Sequence, residues 1–195
     1  SLRTMELDYI DMMIIHCPQP WAKVNQSDDR YYEGNLEAWR ALTDAYQAGK
    51  LRAVGVSNFL KEDIENIWSH AEVKPMVNQV LCHIVNTPLD LIEYCQGRGI
   101  VMEAYSPVAH GEALRIPAIA DMAKKYAVSI PQFCIRYDIQ LSMVVLPKTA
   151  NPEHMKNNAE LDFVISDSDM EILKNVERID NYGDSSFFPV FGGKL

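Results

Sequence analysis

Five apolar runs in this chain of 195 residues end in, or carry, polar residues able to do chemistry. YIDMMIIH ends in His16 and LRAVGVSN in Ser57 and Asn58. PMVNQV carries Gln79, GIVMEAYS ends in Tyr105 and Ser106, and MVVLPK ends in Lys148. An imidazole can orient a carbonyl or move a proton. Amides and hydroxyls offer donors and acceptors to a polar ligand, and a phenol ring offers a flat stacking surface. A lysine supplies a cation for a phosphate or, when its amine is neutral, a nucleophile. Chemistry collected at the carboxyl ends of successive strands is how a (β/α)8 barrel or a doubly wound sheet builds its site.

The elements that must position these residues alternate between strand-like and helical periodicity, which favours parallel β/α units over a meander. GNLEAWRALTDAYQAG places Leu36, Trp39, Leu42 and Tyr46 on one helical face, with Gly49 closing the helix. A second helix follows Phe59, capped by Ser57 or Asn58, with Ile64, Ile67 and Trp68 turned inward. Thr87-Pro88 reads as N-cap and first residue of a helix over LDLIEYCQG, ended by Gly97 or Gly99. RIPAIADMAKKYAV and PQFCIRYDIQL form a helical pair broken at Ser129-Ile130-Pro131. Asn151-Pro152 opens a short helix over EHMKNN, and SDSDMEILKNVERI forms a last amphipathic helix with acidic residues in its first turn. SLRTMEL reads as the last turns of a helix, and the tail from Asn181 as irregular. No linker or composition break divides the chain, so a single domain over 1–195 is expected.

With 48% hydrophobic and 23% charged residues the chain can bury a sizeable core. A net charge of -9 argues against a nucleic-acid partner, because such binding rests on Lys and Arg displacing counterions. Cys17, Cys82, Cys95 and Cys134 form neither a CxxC pair nor a zinc-ligand pattern, and reduced, mostly buried thiols are expected. No run approaches the roughly 20 apolar residues of a membrane span, and SLRTMELDY lacks the basic start and apolar core of a signal peptide. These features predict a cytoplasmic protein away from membranes.

GKLRAVGVSNF resembles a diagnostic signature of the aldo-keto reductases, and three further segments agree with it. MMIIHCP is similar to the family's strand-four histidine motif, MEAYSP to its nicotinamide-stacking segment and LPKTANPEHMKNN to its phosphate-binding segment. The family binds NADPH on a (β/α)8 barrel without a GxGxxG fingerprint, and this chain has none. The resemblance implies an α/β fold in which the chain covers about strands 4–8 of that barrel and the C-terminal tail. It also implies hydride transfer from NADPH, with NADH as the other option, to a small aldehyde or ketone. His16 would orient the carbonyl. Ser57, Asn58 and Gln79 would contact the nicotinamide carboxamide, and Tyr105 would stack on its ring. Ser106 and the loop from Pro107 to Gly111 would lie along the pyrophosphate. Lys148 and Thr149 would hold the 2′-phosphate at a helix N-terminus, and Asn158 the adenine.

Several positions depart from the family pattern. The family's phosphate-binding arginine is replaced by His154, which lacks the permanent charge and planar fork. Cys17 stands where many members carry Trp, and Trp21 is placed to replace part of that pocket wall. Phe187, Phe188 and Phe191 either line the substrate loop or lie in an exposed tail. Of the family's Asp, Tyr, Lys and His set, only His16 has a counterpart; Tyr9 lies at the wrong end of its strand to serve as proton donor. The chain by itself is therefore expected to be a poor reductase, since losing an acid catalyst costs about 100- to 10,000-fold. It is either part of a longer enzyme, favoured because an open half-barrel leaves apolar strand edges bare, or a noncatalytic NADPH-binding relative. Other classes are a Schiff-base aldolase-like barrel using Lys148, a metal hydrolase using His16, His83 and Glu103, and a redox-sensing subunit.

Overall fold

The computed structural model describes residues 2–24 and 27–192. Each predicted apolar run becomes a strand: β1 (Ile10–Ile15), β2 (Leu51–Ser57), β3 (Val77–Leu81), β4 (Val101–Tyr105) and β5 (Val144–Leu146). Between and around them lie α1 (Leu2–Met5), α2 (Tyr32–Gln47), α3 (Lys61–His70), α4 (Leu89–Gln96), α5 (Pro117–Lys125), α6 (Ile130–Gln140), α7 (Pro152–Ala159) and α8 (Asp167–Lys174). The chain packs as two compact units. The first takes in residues up to Gln79 together with Asp90–Val101, the second Val80–Leu89 and the chain from Met102 onward.

In the first unit, β1 pairs with β2 and β2 with β3, all parallel, in a register that sets Ile14 beside Gly55 and Ser57 beside Gln79. The central strand carries a nearly continuous apolar run, as a strand buried on both faces must, and Val54 and Val56 are fully buried. Helices α2 and α3 seal it with Trp39, Ile64 and Ile67, and the Trp39 indole donates to the Val73 carbonyl at 2.8 Å. Trp68, expected inward, is only half-buried. Helix α2 closes as expected on Gly49, at φ 71°. The cap of α3 is not Ser57 or Asn58. Instead the Asp63 carboxylate accepts from the Leu60 amide at 2.9 Å, because the two upstream side chains are engaged between strands. Gly55 is required by close strand approach: a Cβ there would stand 2.8 Å from the Val77 carbonyl oxygen and 2.9 Å from its Cβ.

The second unit contains the parallel pair β4 and β5, with Phe133, Tyr137, Ile119 and Leu173 buried among the helices. Ser129, Asn151 and Ser166 each accept from a first-turn amide of α6, α7 and α8. The predicted break at Ser129-Ile130-Pro131 falls instead at 126–129, with Ile130 and Pro131 already helical. Thr87 is not an N-cap. Its hydroxyl donates to the His83 carbonyl at 3.0 Å and meets the Tyr137 hydroxyl at 2.8 Å. Helix α8 stops at Lys174, short of the predicted Ile179, whose amide instead donates to the Val85 carbonyl. The tail forms two short 3-10 turns, Gly183–Ser185 and Pro189–Gly192. Of its aromatics, Phe191 is buried and Phe187 is 75% exposed.

All four cysteines are free thiols, three buried and Cys17 half-buried. Burial pushes Cys82 well up, with Asp138 adding to the shift, and raises Asp138 itself well above the usual carboxylate range. His83 is buried and lowered to about 3, by desolvation first and then by the charges of Arg178 and His110.

Two outcomes follow from this packing. Gly55→Ala must push apart β2 and β3 and lowers stability by about 1–3 kcal/mol, seen as a drop in urea midpoint at unchanged slope. Folding lowers His83 from 6.5 to about 3, so between those values only the unfolded chain binds this proton. Its contribution is whole above pH 6.5 and is lost as pH falls toward 3, at most about 1.4 kcal/mol per pH unit. Urea midpoints measured from pH 7 to pH 5 fall in the unaltered chain and fall less steeply in His83→Gln.

Candidate functional site

In the first unit the strand ends are tied together through their polar residues. Asn58 takes the left-handed conformation, φ 59°, from which its amide nitrogen donates to the His16 carbonyl at 3.0 Å and to the Ser57 hydroxyl at 3.1 Å. The Ser57 hydroxyl donates to the Gln79 carbonyl at 2.9 Å, and the Asn58 backbone amide reaches the same oxygen. The ends of β1, β2 and β3 are thus fixed at one level, with Ser57 and Asn58 buried and the His16 side chain exposed. Asn78, beside Gln79, donates to the Phe59 carbonyl at 3.0 Å and holds the turn from below.

The His16 ring is held from one side by Trp21, stacked at a centroid distance of 4.8 Å and 15° between planes. The loop that carries Trp21 is braced by side chains that the sequence did not single out. Gln19, itself buried, donates to the carbonyls of Ser27 and Asp29, both at 2.7 Å. Asn35 donates to the carbonyls of Pro18 and Arg30. Arg30 forms a two-point ion pair with the buried Asp63, the carboxylate that also caps α3. Burial raises the Asp63 pKa, although Arg30 and the Leu60 amide pull the other way. Tyr9, at the amino end of β1, lies under the Arg52 guanidinium at 3.7 Å, remote from these strand ends.

In the second unit a cavity of about 250 Å3 opens between the loop after β4 and the end of β5. Ser106, His110 and Gly111 form one wall, Lys148 and Asn158 part of the other. The loop is an irregular turn: Ser106 (φ 55°), Ala109 (φ 50°) and His110 (φ 53°) are all left-handed, followed by Gly111 at φ 97°. For non-glycine residues that conformation costs roughly 1–2 kcal/mol each. Lys148 is exposed on the cavity wall. Thr149 and His154 do not line the cavity. The Thr149 hydroxyl accepts from the Asn151 amide, shaping the entry to α7, and His154 lies exposed on that helix. Tyr105 is half-buried at the end of β4, where its carbonyl accepts from the Cys82 amide.

Residues 1–178 match the model of the Aldo/keto reductase family. The chain belongs to the aldo-keto reductase family. It is 40% identical over 172 residues to the uncharacterized oxidoreductase YtbE of Bacillus subtilis, covering 87% of this chain and 57% of that protein. It is 36% identical over 184 residues to glyoxal reductase of the same organism, covering 94% of this chain and 62% of the relative. The crystal structure of MGS-M4, an aldo-keto reductase from a Medee basin deep-sea metagenome library, superposes on all of this chain and 64% of its own, with a TM-score of 0.81 at 31% identity. The Bombyx mori aldo-keto reductase AKR2E4, solved in complex with NADP, matches 98% of this chain and 66% of its own with a TM-score of 0.78 at 27% identity. The chain thus spans about three fifths of the length of its relatives. Its fold class is α/β, part of the family's (β/α)8 barrel. Among the described residues no helix is long and apolar enough to cross a membrane.

In this aldo-keto reductase chain the Asn58 turn joins a side-chain bond to a left-handed backbone. Asn58→Ala loses the bonds to His16 and Ser57 and also the residue type that tolerates the left-handed region, and costs at least about 2 kcal/mol. Asn58→Gly keeps the backbone freedom and loses only the side-chain bonds. Urea unfolding of the two variants checks the order, with the alanine variant the weaker.

Proposed function

We propose that the complete protein is an NADPH-dependent oxidoreductase that reduces a small aldehyde or ketone to an alcohol. The observation that carries this reading is the cavity of the second unit, where Lys148 and Asn158 stand opposite the left-handed loop 106–111. A lysine cation suits a phosphate, and a tight turn approaches a pyrophosphate closely enough for backbone amides to contact it. That is the chemistry the resemblance assigns to Ser106 and to Lys148 with Thr149 and His154, while it assigns Asn158 to the adenine. Family membership and the NADP-bound relative support the same cofactor.

In this reading Tyr105 stacks on the nicotinamide ring, and Ser57, Asn58 and Gln79 contact its carboxamide. Bound NADPH would supply the hydride. His16 donates a hydrogen bond to the substrate oxygen and so fixes which carbon is presented, with Trp21 setting the plane of its imidazole. Turnover is proposed here for the complete protein.

Cofactor choice rests on Lys148, the one cation on the cavity wall among the residues that line it. Lys148→Ala in the complete protein should raise the KM for NADPH by about tenfold or more, the worth of a charged hydrogen bond, and leave that for NADH nearly unchanged. Equal use of the two nucleotides by the unaltered protein would sink the 2′-phosphate assignment.

A further inference from the structure

A loop that lines a cavity in a costly backbone conformation persists only where its surroundings over-determine it. For residues 106–111 those surroundings include the carboxyl-terminal segment Tyr182–Phe191, which converges on one side chain, His110. Phe191 meets the His110 ring edge-on at 4.7 Å, and Phe188 lies against it at 6.4 Å. The Ser185 hydroxyl is 3.1 Å from His110 Nδ1. Phe191 is itself locked: it stacks on Tyr182 at 4.5 Å, and the buried Tyr182 hydroxyl meets His83 Nε2 at 3.1 Å. At Gly183, in the left-handed region, an added Cβ would come within 3.2 Å of the Glu112 carboxylate, so the segment's backbone also passes close to the residue that follows the loop.

We propose that the segment Tyr182–Phe191 is a clamp that presets the nucleotide-binding loop 106–111, acting through His110 as a positioning residue. The inference rests on the reading of this cavity as the NADPH site, and it gives the tail aromatics a role directed at the cofactor rather than at the carbonyl substrate. Without the clamp the strained loop relaxes to other conformations, and apparent nucleotide affinity falls in proportion to the fraction still in the binding geometry. With it, the ordering of the loop is complete before the nucleotide arrives.

The test uses the complete protein and two readouts. The first is amide hydrogen exchange in the absence of nucleotide at Ala109 and Gly111, whose amides close the turn onto the carbonyls of Ser106 and Val108. The second is NADPH binding followed by protein fluorescence, together with kcat at saturating NADPH. Phe191→Ala is expected to speed exchange at both amides and to raise the NADPH Kd by about tenfold, the result of a competent fraction near one tenth. Its kcat at saturation should hold, and Phe191→Tyr should restore both values. Ser185→Ala, which leaves the aromatic packing intact, should move both readouts in the same direction by less and serves if Phe191→Ala does not fold. Unchanged exchange at Ala109 and Gly111 would overturn the clamp. So would faster exchange with an unchanged Kd. If the unaltered protein fails to bind NADPH, the nucleotide reading falls and takes the assigned purpose of the clamp with it, while exchange still decides whether the segment holds the loop.

Discussion

One amide side chain fixes the level at which the first unit presents its chemistry. From its left-handed backbone position Asn58 binds the carbonyl of His16, and through Ser57 it is joined to the carbonyl of Gln79. Parallel strands have no hairpin to set their register, so their ends must be aligned by other means. Here the alignment comes from side chain to backbone bonds among buried residues, where an unmade bond costs most. The sequence GVSN is therefore architectural: Gly55 lets β3 approach, Val56 fills the core, and Ser57 and Asn58 lock the rim. Ligand contact and structural bonding compete for the same polar atoms. Much of the hydrogen-bonding capacity of Ser57 and Asn58 is committed before any ligand arrives.

Local signals made the order of elements legible. Each strand is a short apolar run, and the caps at Ser129, Asn151 and Ser166 act within three residues of themselves. Where a side chain had two partners to choose from, local reading failed. Ser57, Asn58 and Thr87 all have cap chemistry, yet each is drawn to a carbonyl or hydroxyl supplied by another segment. The candidate site was named through resemblance alone, and of its residues the cavity brings Ser106, Lys148 and Asn158 to one place. It leaves Thr149 and His154 off the cavity wall. The residues that brace the site, Gln19, Arg30, Asp63 and Phe191, act over long sequence separations and carry no local pattern. Asp63 serves its helix start from the third position, but with Leu60 at the cap the segment lacks the hydroxyl residue that a capping-box search needs.

The two units solve the burial of polar groups differently. The first uses an ion pair, Arg30 with Asp63, whose carboxylate also serves a helix amide, so one buried charge meets two demands. The second buries Asp138 beside the Cys82 thiol, where burial raises both pKa values, and sets the buried His83 against Tyr182. Burial disfavours the charged form of each group, and for His83 this makes the packing sensitive to acid.

The state of the thiols has a practical side. Burial raises the pKa of all four, Cys95 to about 11, and the half-buried Cys17 hydrogen-bonds to the Gln19 carbonyl. Alkylating reagents and oxidants attack the thiolate, so the native cysteines form a chemically quiet background. A single cysteine placed on an exposed face of this chain would then carry a dye or spin label alone, with no native thiol removed.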